Sequence, residues 1–141
     1  MSSVEALLMS HDQLVVLADR VEALLQQDDL LHALETRAKL SADFNSYIAQ
    51  EIRFVRSAMN GNVSTGVTKQ IQGFVEECKT VRRMWDNYMT EWVDEAASLE
   101  PACFQLETSS MIQQMRRRLK HAAELLCPLG IRSGAIKLRA A

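Results

Sequence analysis

The chain has 141 residues, 16 basic against 18 acidic for a net charge of -2, and 48% apolar residues. That is the size of one domain with one core, and too apolar for a disordered chain. The balanced charge argues against general nucleic-acid binding, which needs a basic excess to neutralise phosphates, and no apolar run approaches the roughly 18 residues of a membrane span.

The first amphipathic segment runs from about Ser3, an N-cap residue type, to about Gln27. Val4, Leu7, Leu8, Leu14, Val15, Ala18, Val21, Leu24 and Leu25 recur along it at three-four spacing. Gln26-Gln27-Asp28-Asp29 forms a turn, with Asp28 or Asp29 capping a second segment that runs to about Met59. Its stripe is Leu30, Ala33, Leu34, Ala38, Leu40, Phe44, Tyr47, Ile48, Phe54, Val55 and Ala58, and Asn60-Gly61-Asn62 ends it by turn chemistry.

The third segment, from about Ser64 to Ala97, carries Val67, Ile71, Phe74, Val75, Cys78, Val81, Trp85, Tyr88, Met89, Trp92 and Val93. The fourth opens near Pro101, a residue suited to a first helical position, and is expected to stop before Pro128 and Gly130. It carries Phe104, Leu106, Met111, Ile112, Met115, Leu119, Ala122, Leu125 and Leu126. Four long segments with short connections predict an all-α fold, an antiparallel up-down four-helix bundle over 1–130. The tail, 131–141, has no clear period.

The start of the chain, Met1-Ser2-Ser3-Val4-Glu5, lacks the charged and apolar regions of a secretory signal. Cys78, Cys103 and Cys127 are odd in number and contain no Cys-x-x-Cys pair. Neither a disulfide framework nor a structural zinc site is expected, and a reducing cytoplasm fits best. The basic cluster Arg116-Arg117-Arg118 with Lys120 spreads around a helix, so a solvated face is the better reading than a phosphate patch.

The polar residues that interrupt the stripes carry more information. His11 lies one turn from both Leu8 and Leu14, which puts it in the seam. Glu51 falls between Ile48 and Val55, with Tyr47 one turn before it on the same face. Cys78 sits between Phe74 and Val81, and Arg118 lies three after Met115. All are near mid-helix, so antiparallel packing brings them toward one layer. A buried carboxylate is costly unless paired, so Glu51 implies a partner, with Arg118, His11 and Tyr47 as the available donors.

At these positions the sequence resembles the hemerythrin-like (HHE cation-binding) family, four-helix bundles holding a non-haem di-iron centre. Ser10-His11-Asp12-Gln13-Leu14 is similar to the family's helix-one His followed by Asp-Glu-Leu, and Tyr47-Ile48-Ala49-Gln50-Glu51 to its His-x-x-x-Glu. Phe74-Val75-Glu76-Glu77-Cys78 falls where a His often lies. Arg118 through Leu129 resembles the final His-x-x-x-Glu segment with its closing Glu-x-Leu-Tyr-Pro-Leu. Asn87 to Trp92 and Pro101-Ala102-Cys103-Phe104 resemble a bacterial, specifically proteobacterial, branch.

By this alignment only His11 and Glu51 keep ligand types. Tyr47, Cys78 and Arg118 stand for His, and Ala122 for Glu. The resemblance therefore implies a degenerate metal site, with no cofactor, no metal, and Arg118 paired with Glu51. The expected function is a non-enzymatic regulatory or protein-interaction module, with a protein partner or a homodimer as the contact. Trp85, Trp92, Met84 and Met89 are the candidate contact surface, against the alternative that they fill the core.

A second reading is a metal or redox sensor binding a single zinc or iron ion through His11, Glu51 and Cys78, which requires those side chains to converge. Catalysis has least support. No nucleophile-and-base pattern or Gly-rich phosphate loop occurs, and His32 and His121, expected to be exposed, lack a phosphotransfer context.

Overall fold

The computed structural model describes residues 3–58 and 65–132 of the chain. Every element among them is helical: α1 (Ser3–Gln26), α2 (Leu30–Ala58), α3 (Thr65–Glu91), α4 (Asp94–Leu99) and α5 (Pro101–Arg132). Among the described residues no helix is long and apolar enough to cross a membrane. The expected turn at Asn60-Gly61-Asn62 and the tail beyond Arg132 lie outside the described residues.

Two turns have legible causes. Asp28 takes a positive φ of 57°, and its N–H donates to the Leu25 carbonyl while that of Asp29 donates to Leu24. These are the paired closing bonds of a Schellman turn. Asp29 then caps α2, its carboxylate accepting from the His32 backbone N–H at 3.3 Å. Between α4 and α5, Glu100 leaves the helical region (φ -131°, ψ 65°) because Pro101 disfavours helical backbone in the residue before it.

Two boundaries differ from expectation. The third helix, expected to reach Ala97, ends at Glu91, and Val93 is extended before the short α4. No glycine or proline lies there; the cause is tertiary and involves Arg37, described below. The last helix continues through Pro128 and Gly130 to Arg132. A proline deletes one backbone hydrogen bond and strains the turn before it, without forcing termination.

Helix α1 packs along α2 and α5, α2 also touches α3 and α5, α3 packs on α5, and the short α4 rests on α5. The buried positions are those the three-four spacing selects: Leu14, Ala18 and Val21 from α1; Leu40, Phe44 and Ile48 from α2; Ile71, Phe74 and Trp85 from α3; Phe104, Ile112, Met115 and Leu119 from α5. Phe44 and Trp85 meet edge to face, 5.9 Å between centroids. Ala38 and Leu106, assigned to stripes, are exposed, because Arg37 and Thr108 hold the inward positions beside them.

Candidate functional site

Glu51 is fully buried on α2, facing Cys78 of α3 and Arg118 of α5, both buried as well. One carboxylate oxygen, Oε1, accepts from Arg118 Nη2 at 2.6 Å and from the Cys78 thiol at 2.9 Å. Nη2 lies 2.6 Å from the same sulfur, so carboxylate, thiol and guanidinium close a triangle. The guanidinium carbon stands 3.9 Å from the centroid of the Phe74 ring, an aromatic floor for its charge. Tyr47, one turn before Glu51, is also buried.

The electrostatics keep the two weak acids protonated. Burial pushes the Cys78 thiol up to about 12, with the Glu51 charge adding to the rise and Arg118 opposing it. Burial also raises the Tyr47 phenol, reinforced by the charge of Glu51 and a hydrogen bond to it. Cys78 is thus a neutral donor to Glu51, whereas a metal ligand or redox nucleophile has to be a thiolate.

Among the described residues, three polar atoms of the cluster have no hydrogen-bond partner: Glu51 Oε2, and Arg118 Nε and Nη1. Such orphans are uncommon in native interiors and each needs a reason.

Four of the five sequence-selected residues therefore meet. His11 does not join them. It is half-buried on α1, and its Nε2 lies 2.9 Å from the carbonyl oxygen of Leu119, the neighbour of Arg118 in sequence. It braces α1 on α5. His11, Glu51 and Cys78 do not form a three-ligand group, and among the described residues no other group of three His, Cys, Asp or Glu side chains does. The cluster does not fit a di-iron centre: beside the one carboxylate, Glu51, it offers a cation, a neutral thiol and a neutral phenol.

The basic run separates as helical geometry requires. Arg118 points inward, Arg117 is exposed, and Arg116 reaches across to Asp19 and Glu22 of α1. Trp85 and Trp92, candidates for a contact surface, are buried instead, Trp85 donating to Ser41 and Trp92 to Glu107. Met84 is exposed and Met89 half-buried. His32 and His121 are exposed as expected.

A second buried polar network, outside the residues singled out in the sequence, centres on Arg37. Arg37 of α2 donates to the Trp92 carbonyl at 2.7 Å and, more weakly, to the Tyr88 hydroxyl at 3.5 Å, and reaches Asp94 at 3.2 Å. The Tyr88 hydroxyl and the buried Thr108 hydroxyl are 2.6 Å apart. Arg37 thereby takes the carbonyl at the break between α3 and α4. Its signal was present in the sequence: Arg37 is three after Leu34 and three before Leu40, and Thr108 four after Phe104 and four before Ile112.

Comparison of the chain with protein-family models, with curated proteins and with solved structures finds no match.

Proposed function

We propose that this chain is a non-enzymatic, metal-free hemerythrin-like protein that works as a regulatory or protein-interaction module. Its framework is an antiparallel up-down four-helix bundle of α1, α2, α3 and α5. The packing of α1 and α3 each against both α2 and α5 supports that arrangement.

The observation that carries the reading is the Arg118–Glu51 pair, 2.6 Å long, in the layer where the resemblance puts metal ligands. Arg118 neutralises the one carboxylate that a cation would need, and its own charge repels a metal ion. The neighbouring thiol and phenol remain protonated. Removing the ligands while keeping a packed interior preserves a scaffold and discards its redox chemistry. What is left to act is the surface.

The test is elemental analysis with an absorption spectrum on protein purified without chelator under low oxygen. No metal, before and after reconstitution with iron or zinc, is the expected result. Near-stoichiometric metal overturns the proposal and directs mutation to Glu51, Cys78 and His11.

A further inference from the structure

We propose that the groove between α3 and α5 binds a small organic carboxylate, whose oxygens take the free N–H groups of Arg118. This goes beyond the metal-free reading, and metal analysis and carboxylate titration fail independently of each other.

The groove has a volume of about 520 Å³ and lies open between the two helices, with Arg118 among its lining residues. Arg118 is 5% exposed, yet its Nε and Nη1 find no acceptor among the described residues. Nη2 is committed to Glu51 and Cys78, so the pair neutralises the charge and leaves donor capacity unused. An acceptor arriving through the groove would meet that need.

The rim decides the sign of the ligand. Glu76 pairs with Lys79 at 3.5 Å, and Glu77 with His121 at 2.9 Å. Arg117, also in the lining and exposed, makes no ion pair among the described residues. Its guanidinium stands beside the orphaned donors of Arg118, and free guanidinium N–H groups call for an oxygen acceptor, for which a planar carboxylate is the geometric match. Val81 supplies an apolar wall. It is only half-buried, although Cys78 and Trp85 on either side are buried, because it faces the groove. A flat carboxylate on a small apolar body matches both surfaces.

Gly73 is the independent observation. It lies inside α3 and lines the groove, and a Cβ built on it meets nothing within 4 Å. Glycine is disfavoured within a helix, and here neither close packing nor backbone geometry requires it. Its effect is to keep the groove open. Nε and Nη1 are screened from solvent, so the ligand reaches them only as side chains lining the groove move aside.

The experiment is a titration of the full chain with acetate, propionate and benzoate, followed by amide NMR. Benzamide serves as the uncharged isostere of benzoate, and inorganic phosphate as the multiply charged anion. The expected result is saturable shifts at Gly73, Thr80 and the Arg118 Nε–H with at least one carboxylate, and about tenfold weaker binding of benzamide. The variant Gly73→Leu fills the groove without touching Glu51 or Arg118. It is expected to stay folded, with a melting temperature no lower than the parent's, and to lose the response. Absence of shifts with all three carboxylates overturns the proposal. So does equal binding of benzamide, stronger binding of phosphate, or an unchanged response in folded Gly73→Leu.

Discussion

Among the described residues two arginines are buried, and they are used differently. Arg37 is absent from the buried groups without a partner: a backbone carbonyl and a phenol take Nη1, Asp94 takes Nη2, and the Tyr88 and Phe104 rings flank its guanidinium at 5.5 and 5.1 Å. Its carboxylate partner is 76% exposed, so the charge is shared with solvent at the edge of the fold. Arg118 faces a carboxylate with no exposure at all and leaves two nitrogens unused. A saturated buried cation fastens a chain break. An unsaturated one beside a groove has chemistry to spare.

The largest test of that contrast is to break the enclosed pair. Glu51→Ala or Arg118→Ala strands one buried charge and is expected to cost about 3–5 kcal/mol in urea denaturation, whereas the double replacement Glu51→Met with Arg118→Met recovers most of the loss. A double variant that costs as much as the two single variants added together would show that the two side chains are not coupled. Next in size is Arg37→Met, expected to cost about 2–3 kcal/mol, since it deprives a buried carbonyl and a phenol of a charged donor. Asp94→Ala should cost under about 1 kcal/mol, because that end of the pair is solvated. If the two variants cost the same, the saturation of Arg37 is a surface effect and the contrast falls.

Periodicity made much of this legible. Glu51, Cys78 and Arg118 interrupt apolar stripes at helical spacing, and that spacing alone brings them inward. What a residue bonds to is harder to read. His11 has the right register but reaches the Leu119 carbonyl, and a backbone acceptor leaves no mark in a sequence pattern. The end of α3 was hidden for a related reason: the side chain that takes the Trp92 carbonyl lies 55 residues away on α2. Arg37 escapes the apolar pattern because the adjacent Ala38 is apolar enough to continue the stripe. The groove depends on a missing side chain at Gly73 and on half-burial of Val81, neither of which periodicity scores.

A smaller effect separates the thiol from its neighbours. Cys78→Ala removes one donor to Glu51 and is expected to cost about 1–2 kcal/mol, while Cys78→Ser keeps a donor and should cost less. The sign of the pH dependence follows from the raised thiol. Its ordinary value is 9.0 and its folded value about 12, so the stabilisation is complete below 9.0 and is lost as pH rises through 12. Cys78→Ser, which does not titrate there, should shed its share of that alkaline loss, leaving the share of Tyr47. An identical alkaline limb in both proteins would mean that the thiol is not held neutral by the cluster.

The smallest expected effect belongs to an ion pair with the same chemistry left in water. Asp29 and His32 lie 2.8 Å apart at the start of α2, both solvent-facing. The hydrogen bond to Asp29, then its charge, raises His32 above 6.5, and the same hydrogen bond lowers Asp29 below 3.8. The contribution of His32 is therefore complete below 6.5 and lost as pH climbs through its raised value. That of Asp29 is complete above 3.8 and lost as pH falls through its lowered value, which leaves a window between the two. Asp29→Asn keeps a capping acceptor for the His32 N–H and deletes only the charge. In an NMR titration the His32 imidazole should fall toward 6.5 in this variant, and added salt should shrink the difference from the parent. An unchanged titration would mean that the exposed pair does not form in solution. A shift as salt-resistant as that of an enclosed pair would remove the distinction between screened and buried charge on which the contrast of the two arginines rests.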